Sequence, residues 1–185
     1  MVAPPPCPQP QGFPIITGFI TPGSDDPPPH GLDASITADV RDPTETPPPI
    51  GEQVRILETT DPWNLEVDWC ICGKYAPGMC GCWCVSVYIN PIDGESNRTR
   101  GLIGSTMVSL DTVGPTSPRC YEYTFNFQPS VIAGVYSLVV VITYLTGSCD
   151  NPTGRFFDTL GYAEIPVLVF FDDRSGPPWC PSPSP

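Results

Sequence analysis

The nine cysteines are the residues of this chain with the most distinctive chemistry. Two thiols can form a disulfide, and four thiolates can hold a zinc ion. An odd total leaves at least one thiol without an intramolecular partner if all the others are oxidised. The disulfide candidates are Cys7, Cys70, Cys72, Cys80, Cys82, Cys84, Cys120, Cys149 and Cys180.

Five of these cysteines fall on two segments with the period of a β-strand. Residues 63–72 alternate between apolar side chains at odd positions and polar or cysteine side chains at even positions, and residues 80–90 repeat the pattern. Because Trp69 and Trp83 take the core side, the cysteine side chains are expected to project outward. The outward set is Cys70, Cys72, Cys80, Cys82 and Cys84.

A hairpin closed by residues 73–79 would put Cys72 opposite Cys80 and Cys70 opposite Cys82. Three states of these thiols remain open: reduced side chains in an outer layer, disulfides within the hairpin or to other cysteines, and a zinc site. The zinc site would use Cys70, Cys72, Cys80 and Cys82. Structural zinc sites usually contain Cys-x2-Cys, whereas this chain has only Cys-x-Cys pairs, so we expect no cofactor, with zinc as the one alternative.

The other residue types argue against catalysis. The single histidine, His30, lies among prolines, and an imidazole is needed for Ser-His-Asp and Cys-His chemistry. Glu66 and Asp68 could form a carboxylate pair, but neighbours on one strand face are more often solvated charges. A formal charge of -12 also disfavours nucleic acid as a ligand. We expect a protein that is not an enzyme.

Targeting segments are not visible in this sequence. The first twenty residues lack a basic region followed by an unbroken apolar stretch, so no signal peptide is predicted. The longest mainly apolar window, residues 135–145, is too short to span a bilayer. We therefore expect no membrane span. The compartment stays open, with an extracellular surface or particle favoured over the cytoplasm.

The periodicity between residues 50 and 171 predicts an all-β fold. About eight short strands separated by turn clusters are typical of a two-sheet antiparallel sandwich, immunoglobulin-like or jelly-roll-like, with a partly open barrel as the competitor. Pro166 marks the last strand as an edge strand or a bulge. The stronger strands are 63–72, 80–90, 120–127 and 135–144, and the weaker ones are 34–40, 53–58, 103–110 and 162–171.

One segment also resembles a known family. The sequence FQPSVIAGVYSLVVVITY, residues 127–144, is similar to the late hairpin of immunoglobulin-like and fibronectin-III-like bacterial modules, where a Gly-x-Tyr turn leads into an alternating strand. The antibody-type pattern of cysteines around a tryptophan is missing. The resemblance implies a β-sandwich with an adhesion, assembly or binding role, and it supplies no catalytic residue.

Proline divides the chain into three regions. Of the 27 prolines, 14 fall within residues 1–50 and five within 177–185. Because proline fixes φ and removes a backbone donor, these regions read as extended arms. We expect a proline-rich N-terminal arm at 1–49, a β-sandwich domain at 50–173 and a proline-rich C-terminal tail at 174–185.

The N-terminal arm contains an apolar, β-prone segment, GFPIITGFI, at residues 12–20. It can fold back as an extra edge strand or exchange between subunits. Its apolar residues are Phe13, Ile15, Ile16, Phe19 and Ile20. We also expect an arm cysteine, Cys7 or Cys180, to join the outward cysteines of its own domain or of a neighbouring subunit.

The leading functional prediction is a non-enzymatic structural subunit that forms homo-oligomers through its arms, in a filament, sheath or particle. A β-sandwich binding or adhesion module for a protein or glycan is the first alternative. A thiolate metal-binding module is the second.

Overall fold

The computed structural model describes residues 16–20, 32–42, 56–73, 76–95, 97–110, 118–145 and 156–172, and of residues 16–20, 32–33 and 156–160 it describes the backbone alone. Cys7, Cys149, Cys180, Phe13 and Ile15 lie outside the described residues, as does the C-terminal tail. The strands are β1 Ile16–Ile20, β2 Leu32–Arg41, β3 Ile56–Glu58, β4 Trp63–Gly73, β5 Cys82–Pro91, β6 Gly101–Ser109, β7 Arg119–Phe127, β8 Gly134–Leu145 and β9 Phe156–Phe171. A short 3-10 helix, Ala76–Gly78, lies between β4 and β5.

The strands form two sheets, which confirms the predicted β-sandwich. Sheet A has the order β1-β9-β8-β5-β6. Strand β3 also pairs with β9, further along β9 than the part that pairs with β1. Sheet B has the order β2-β4-β7. All pairings are antiparallel except that of β3 with β9.

The core lies between the inner faces of the two sheets. The predicted alternation holds along β4 and β5, where the odd-numbered side chains from Trp63 to Ile71 and from Trp83 to Ile89 are buried. Trp69 and Trp83, at 1% and 0% exposure, face each other's sheet across this core. Each buried side chain of this size contributes roughly 1.5–3 kcal/mol, so the alternating tryptophan and aliphatic positions largely determine which face of each strand turns inward.

The strand arrangement is immunoglobulin-like, as the resemblance implies. One sheet joins β4 to β7, and the facing sheet joins β5, β8 and β9, as in the seven-strand form of that fold. The Gly-x-Tyr turn provides a second match. Tyr136, near the start of β8, donates its hydroxyl hydrogen bond to the carbonyl of Ile132 at 2.6 Å, which is the tyrosine corner of such sandwiches.

Pro166 lies at a bulge, one of its two predicted positions. The register of β8 with β9 shifts between Tyr136, which faces Leu168, and Leu138, which faces Ile165. Two residues of β9 therefore oppose one residue of β8. A bulge accepts proline because the ladder hydrogen bond is already missing there.

The predicted hairpin between residues 72 and 80 is wrong. The two strands belong to opposite sheets, so neither Cys72 and Cys80 nor Cys70 and Cys82 are paired. The connection crosses from one sheet to the other through the 3-10 helix, whose Ala76 is fully buried. A hairpin would have placed Trp69 and Trp83 side by side on one sheet, whereas the sandwich buries them against each other's sheet.

The sandwich also begins before residue 50. Strand β2 lies within the predicted N-terminal arm, yet it pairs with β4 over ten residues and buries Ile36, Ala38 and Val40. Its alternating pattern outweighs the surrounding proline because each of these three side chains reaches the core.

Within the described ranges, no helix is long and apolar enough to cross a bilayer.

Candidate functional site

The first chemical feature is a disulfide between Cys70 of β4 and Cys120 of β7. The two residues face each other directly in the register of sheet B, with Cα atoms 4.0 Å apart. The bond links residues 50 positions apart on the outer face of one sheet. Sequence analysis includes both cysteines among the disulfide candidates but does not pair them, because the sheet order is needed to bring β7 beside β4.

Cys72 is also disulfide-bonded. Its side chain is 5% exposed, yet it does not belong to the core cluster that Trp69 and Ile71 join. The expected outward, exposed position is therefore wrong for Cys72, which is buried.

The remaining cysteines of the outward set lie along β5 and just before it. Cys80 is exposed and Cys84 half-buried, and both are free thiols. Cys82 is 1% exposed, lies between Ser109 and Leu145 in the sheet register, and is also outside the core cluster. The Sγ atom of Cys84 lies 3.8 Å from the hydroxyl of Ser86.

The proposed four-thiolate zinc site is not formed. Cys70 and Cys72 are consumed by disulfides and lie in sheet B, whereas Cys80 precedes β5 and Cys82 lies within it, in sheet A. A disulfide sulfur is not a thiolate, so it cannot act as such a ligand. In the part of the chain that the structure describes, no group of three or more His, Cys, Asp or Glu residues could hold a metal ion.

Arg119 is a buried cation that sequence analysis misses. The residue is 3% exposed, and its guanidinium donates from Nη1 to the carbonyls of Ala76 at 3.2 Å and Met79 at 2.8 Å. The Nη2 atom donates to the carbonyl of Leu110. One side chain of sheet B therefore satisfies carbonyls from the β4–β5 connection and from the residue after β6.

A signal for this role exists in the sequence. The odd positions of the segment 120–127 are aromatic, Tyr121 and Phe125 among them are buried, and Arg119 has the same parity immediately before them. An arginine on the inner face of a sandwich must find carbonyl or carboxylate acceptors, because burying an unpaired charge is very costly.

Aromatic residues close the same end of the sandwich. Tyr121 stacks on Trp69 and meets Trp83 edge-on. Tyr144 donates to the carbonyl of Cys80 at 2.6 Å. Burial raises the pKa of Tyr144, and the nearby Cys80 side chain adds to that rise. The connection that carries Cys80 is therefore held from both sheets, by Arg119 and by Tyr144.

The outer face of sheet B is acidic. In the register, Asp39 faces Glu66, and Asp68 faces Glu122. Arg41 is the described cation on this face, pairing closely with Glu66 and at 4.0 Å with Asp39. Partial burial raises the pKa of Asp68 above its usual 3.8, and the charges of Glu66 and Glu122 raise it further.

Asp39 shows the same trend. Partial burial raises its pKa first, the Glu66 charge adds to the rise, and Arg41 opposes it. The candidate carboxylate pair, Glu66 and Asp68, therefore belongs to a larger group of charges on an outer strand face. The carboxylates of such a group repel one another. No nucleophile or base is positioned beside them among the described residues.

The apolar arm segment contributes β1. Five of the residues predicted at 12–20 form this strand, and its Ile16, Phe19 and Ile20 pair with Glu164, Gly161 and Leu160 of β9. The pairing partner belongs to the same chain, which corresponds to the fold-back alternative. Strand β1 contains no charged residue and no proline.

An apolar row crosses one end of the outer face of sheet A. Ile56 and Val135 both oppose Val169, and the backbone N–H of Ile92 donates to the carbonyl of Val135 at 2.9 Å. Ile56, Ile92 and Val135 are exposed and Val169 is half-buried. The exposed Val167 and Phe171 flank the row on β9.

Of three comparisons with known proteins, one found similar chains, and those are solved structures at low sequence identity. No family model matches the chain, and no curated protein matches it. Among solved structures, the CARDB domain of a Pyrococcus furiosus protein in complex with di-metal ions is 15% identical, with a TM-score of 0.40, covering 75% of this chain and 89% of that one.

Two further structures show likeness of the same degree. The C-terminal domain of Wzt is 14% identical, with a TM-score of 0.48, covering 79% of this chain and 80% of that one. A Listeria innocua β-glucosidase in complex with glucose is 10% identical, with a TM-score of 0.41, covering 75% of this chain but only 16% of the enzyme. At these identities a likeness concerns β-sandwich architecture and gives no guide to substrate, ligand or partner.

Proposed function

We propose that this protein is a non-enzymatic structural subunit that self-assembles through its N-terminal arm into a filament, sheath or particle. The observation that carries the proposal is β1, a short uncharged strand added to the edge of a complete sandwich. Strands of this kind exchange readily between identical subunits, because the same hydrogen bonds form in either arrangement.

The connection between β1 and β2 is long enough for such an exchange. Residues 21–31 comprise eleven residues, TPGSDDPPPHG, of which four are proline. In an extended conformation they span roughly 34 Å, at about 3.1 Å per residue. That distance is comparable with the diameter of a small domain, so β1 can reach the β9 edge of a neighbouring subunit.

Disulfide chemistry supports a durable assembly rather than a catalytic role. The Cys70–Cys120 bond fixes the outer face of sheet B, and Cys80 presents a free, exposed thiol. Pairing of an arm cysteine, Cys7 or Cys180, with the outward set stays a prediction. Mass mapping of non-reduced peptides tests it, and recovery of both arm cysteines as free thiols would contradict it.

Deletion of residues 1–24 tests the arm, with light scattering as the measurement. We expect a chain that no longer assembles but keeps the far-ultraviolet dichroism of a β-sandwich. Gly18→Pro tests the strand itself, because proline at the register position opposite Tyr162 disturbs the β1–β9 ladder. Assembly that is unchanged in both variants would refute the arm as the assembling element.

A second candidate function is a binding module for a protein or glycan. The exposed row of Ile56, Val135 and Ile92 favours it, since large apolar patches mark interaction sites and an aliphatic row suits an apolar protein surface better than a glycan. If binding is the function, we expect the purified chain to remain monomeric. Sedimentation of the purified chain from micromolar to millimolar concentrations therefore separates the two functions.

A further inference from the structure

The apolar row of sheet A leaves large side chains exposed on one outer face. Ile56 and Val135 oppose Val169 from either side, and directly opposed residues of a ladder point to the same face. Ile92 extends the row beyond Val135, and the exposed Phe171 lies two residues along β9 from Val169. An apolar area of this kind, open to water, favours a contact that covers it.

Polar residues border the row on both sides along the strands. Glu58 opposes Phe171 at the end of β9, and Asn90 opposes Ser137 on the other side. Further along the same face, β5 and β6 present hydroxyl groups, and β5 ends at the border of the row. An apolar centre with a polar border is typical of a contact surface of limited size, which suits a short segment.

Two longer segments outside the described residues are joined directly to the row. Residues 43–55 lead into Ile56, and the C-terminal tail, residues 174–185, begins three residues after Phe171. The first segment must bridge β2 and β3, which belong to different sheets, and it contains two glutamates and an arginine. The tail is uncharged from its second residue onward, and Trp179 is its aromatic side chain. The tail is therefore the better match to an apolar surface.

From these observations we propose that the C-terminal tail folds back onto the apolar row of its own chain, with Trp179 covering the exposed aliphatic side chains. The sequence Ser175-Gly176-Pro177 combines two dipeptides that mark turns, so the chain can reverse direction there. A tryptophan buries roughly 150–250 Å² of surface, and the prolines beside it restrict the undocked segment, so that docking loses little conformational entropy.

The tail is long enough for Trp179 to reach any residue of the row. Trp179 is seven positions after Asp172, which gives a span of roughly 22 Å at about 3.1 Å per residue. Ile92 lies two strands from Val169, or about 10 Å across the sheet. Asp172 is three positions after Val169, or about 10 Å along β9. The distance from Asp172 to Ile92 is therefore about 14 Å, which leaves length for the turn.

A docked tail changes how the row can be used. Because the tail and the row belong to one chain, the effective concentration of the tail at the row is on the order of millimolar. An external apolar protein would have to displace Trp179 before it could bind. The tail therefore acts as an autoinhibitory segment for the second candidate function. It is independent of the β1 contact on which the proposed assembly depends.

Tryptophan fluorescence tests the contact in the full-length chain. Trp63, Trp69 and Trp83 are at most 1% exposed, so Trp179, the fourth tryptophan, is the one whose access to solvent is in question. The difference between wild type and Trp179→Phe isolates its signal. We expect acrylamide to quench Trp179 in the chain about threefold less strongly than it quenches a synthetic peptide of residues 174–185.

Ile92→Asn tests whether the row is the surface that shields Trp179. Leu102→Asn is the matched control, because Leu102 is 57% exposed and Ile92 53%, and Leu102 lies on β6 outside the row. Quenching of Trp179 should rise at least about twofold in Ile92→Asn and stay within about a fifth of wild type in Leu102→Asn. Equal quenching of the wild-type chain and the free peptide, or a shielded Trp179 that Ile92→Asn does not expose, would overturn the proposal.

Protein concentration and the β1 strand provide two further controls. Shielding of Trp179 should not depend on concentration, and shielding that appears only as concentration rises would place the tail on another copy and overturn the proposal. Gly18→Pro should abolish assembly and leave Trp179 shielded, so loss of shielding in this variant also counts against the tail contact. An exposed Trp179 in a wild-type chain that still assembles would refute the tail contact and retain the proposed function.

Discussion

The two sheets of the sandwich differ in how their outer surfaces are secured. Sheet B carries a cross-strand disulfide, Cys70–Cys120, and opposed carboxylates such as Asp68 and Glu122. On the β5 and β6 strands, sheet A presents serine and free thiol groups, and it ends in the uncharged β6. The comparison teaches that charge and covalent bonding secure the outer face of sheet B, whereas β5 and β6 of sheet A carry neither.

Arg119 links sheet B to the β4–β5 connection and to the residue after β6, and removing it is expected to have the largest effect. In Arg119→Met, the carbonyls of Ala76, Met79 and Leu110 lose a buried charged donor. Each such loss is costly, so the free energy of unfolding should fall by about 4 kcal/mol. Urea denaturation followed by tryptophan fluorescence measures it.

A surface arginine offers the matched control. Arg98 pairs with Asp93 and Glu95 at 3.1 Å on the outside of the molecule, where ion pairs contribute little. Arg98→Met should cost about 0.5 kcal/mol. If Arg119→Met does not fold, Arg119→Lys provides the test, because it keeps the charge but loses the planar guanidinium. Its loss in the free energy of unfolding should lie between those of Arg98→Met and Arg119→Met.

Loss of the sheet B disulfide is expected to rank second. Replacing Cys70 and Cys120 together by alanine opens a loop that the bond closes over 50 residues. Chain entropy alone predicts about 4 kcal/mol for such a loop, and disulfides typically contribute about 2–4 kcal/mol, so we expect a loss of about 3 kcal/mol in the oxidised protein. Thermal unfolding measures it, with Cys84→Ser, a free thiol of sheet A, as the control. Equal destabilisation by both changes would mean that the bond adds nothing to sheet B.

Packing between the sheets at the β6 edge is the third target. A Cβ atom on Gly104 would approach the Phe125 ring at 3.0 Å and the Phe127 ring at 3.2 Å. Gly104→Ala should therefore destabilise by about 1 kcal/mol, because crowding of the rings exceeds the usual gain of replacing a strand glycine. Gly78→Ala meets no atom within 4 Å and should be neutral. A stabilised Gly104→Ala would show that β6 is loosely held against sheet B.

The sequence predicts the local features of this fold because they depend on alternation alone. Odd positions from Trp63 to Ile71 and from Trp83 to Ile89 are buried as expected, and Pro166 lies at a bulge. The outward, exposed placement of the cysteines holds only in part, since Cys80 is exposed and Cys84 half-buried, whereas Cys72 and Cys82 are buried. These features need no knowledge of which strands are neighbours.

Features that depend on sheet order could not be predicted in this way. The Cys70–Cys120 pair requires β7 to lie beside β4, whereas local reasoning places the next strand of the chain there. The acceptors of Arg119 come from positions up to 43 residues away. Periodicity specifies a face for each residue, but the neighbour across a sheet is a tertiary property.

The smallest expected effect concerns the charges of sheet B and has the opposite sign. Because the folded pKa of Asp68 is raised above 3.8, the ionised form destabilises the fold at neutral pH, and stability is regained as pH falls through the folded pKa. Asp68→Asn should stabilise by about 0.5 kcal/mol at pH 7, allowing for solvent screening, and the gain should vanish below pH 3.8. Urea titrations across pH measure this, with Glu164→Gln on β9 of sheet A as the control. A gain for Asp68→Asn that persists in acid would show that packing, not repulsion between carboxylates, distinguishes this face from sheet A.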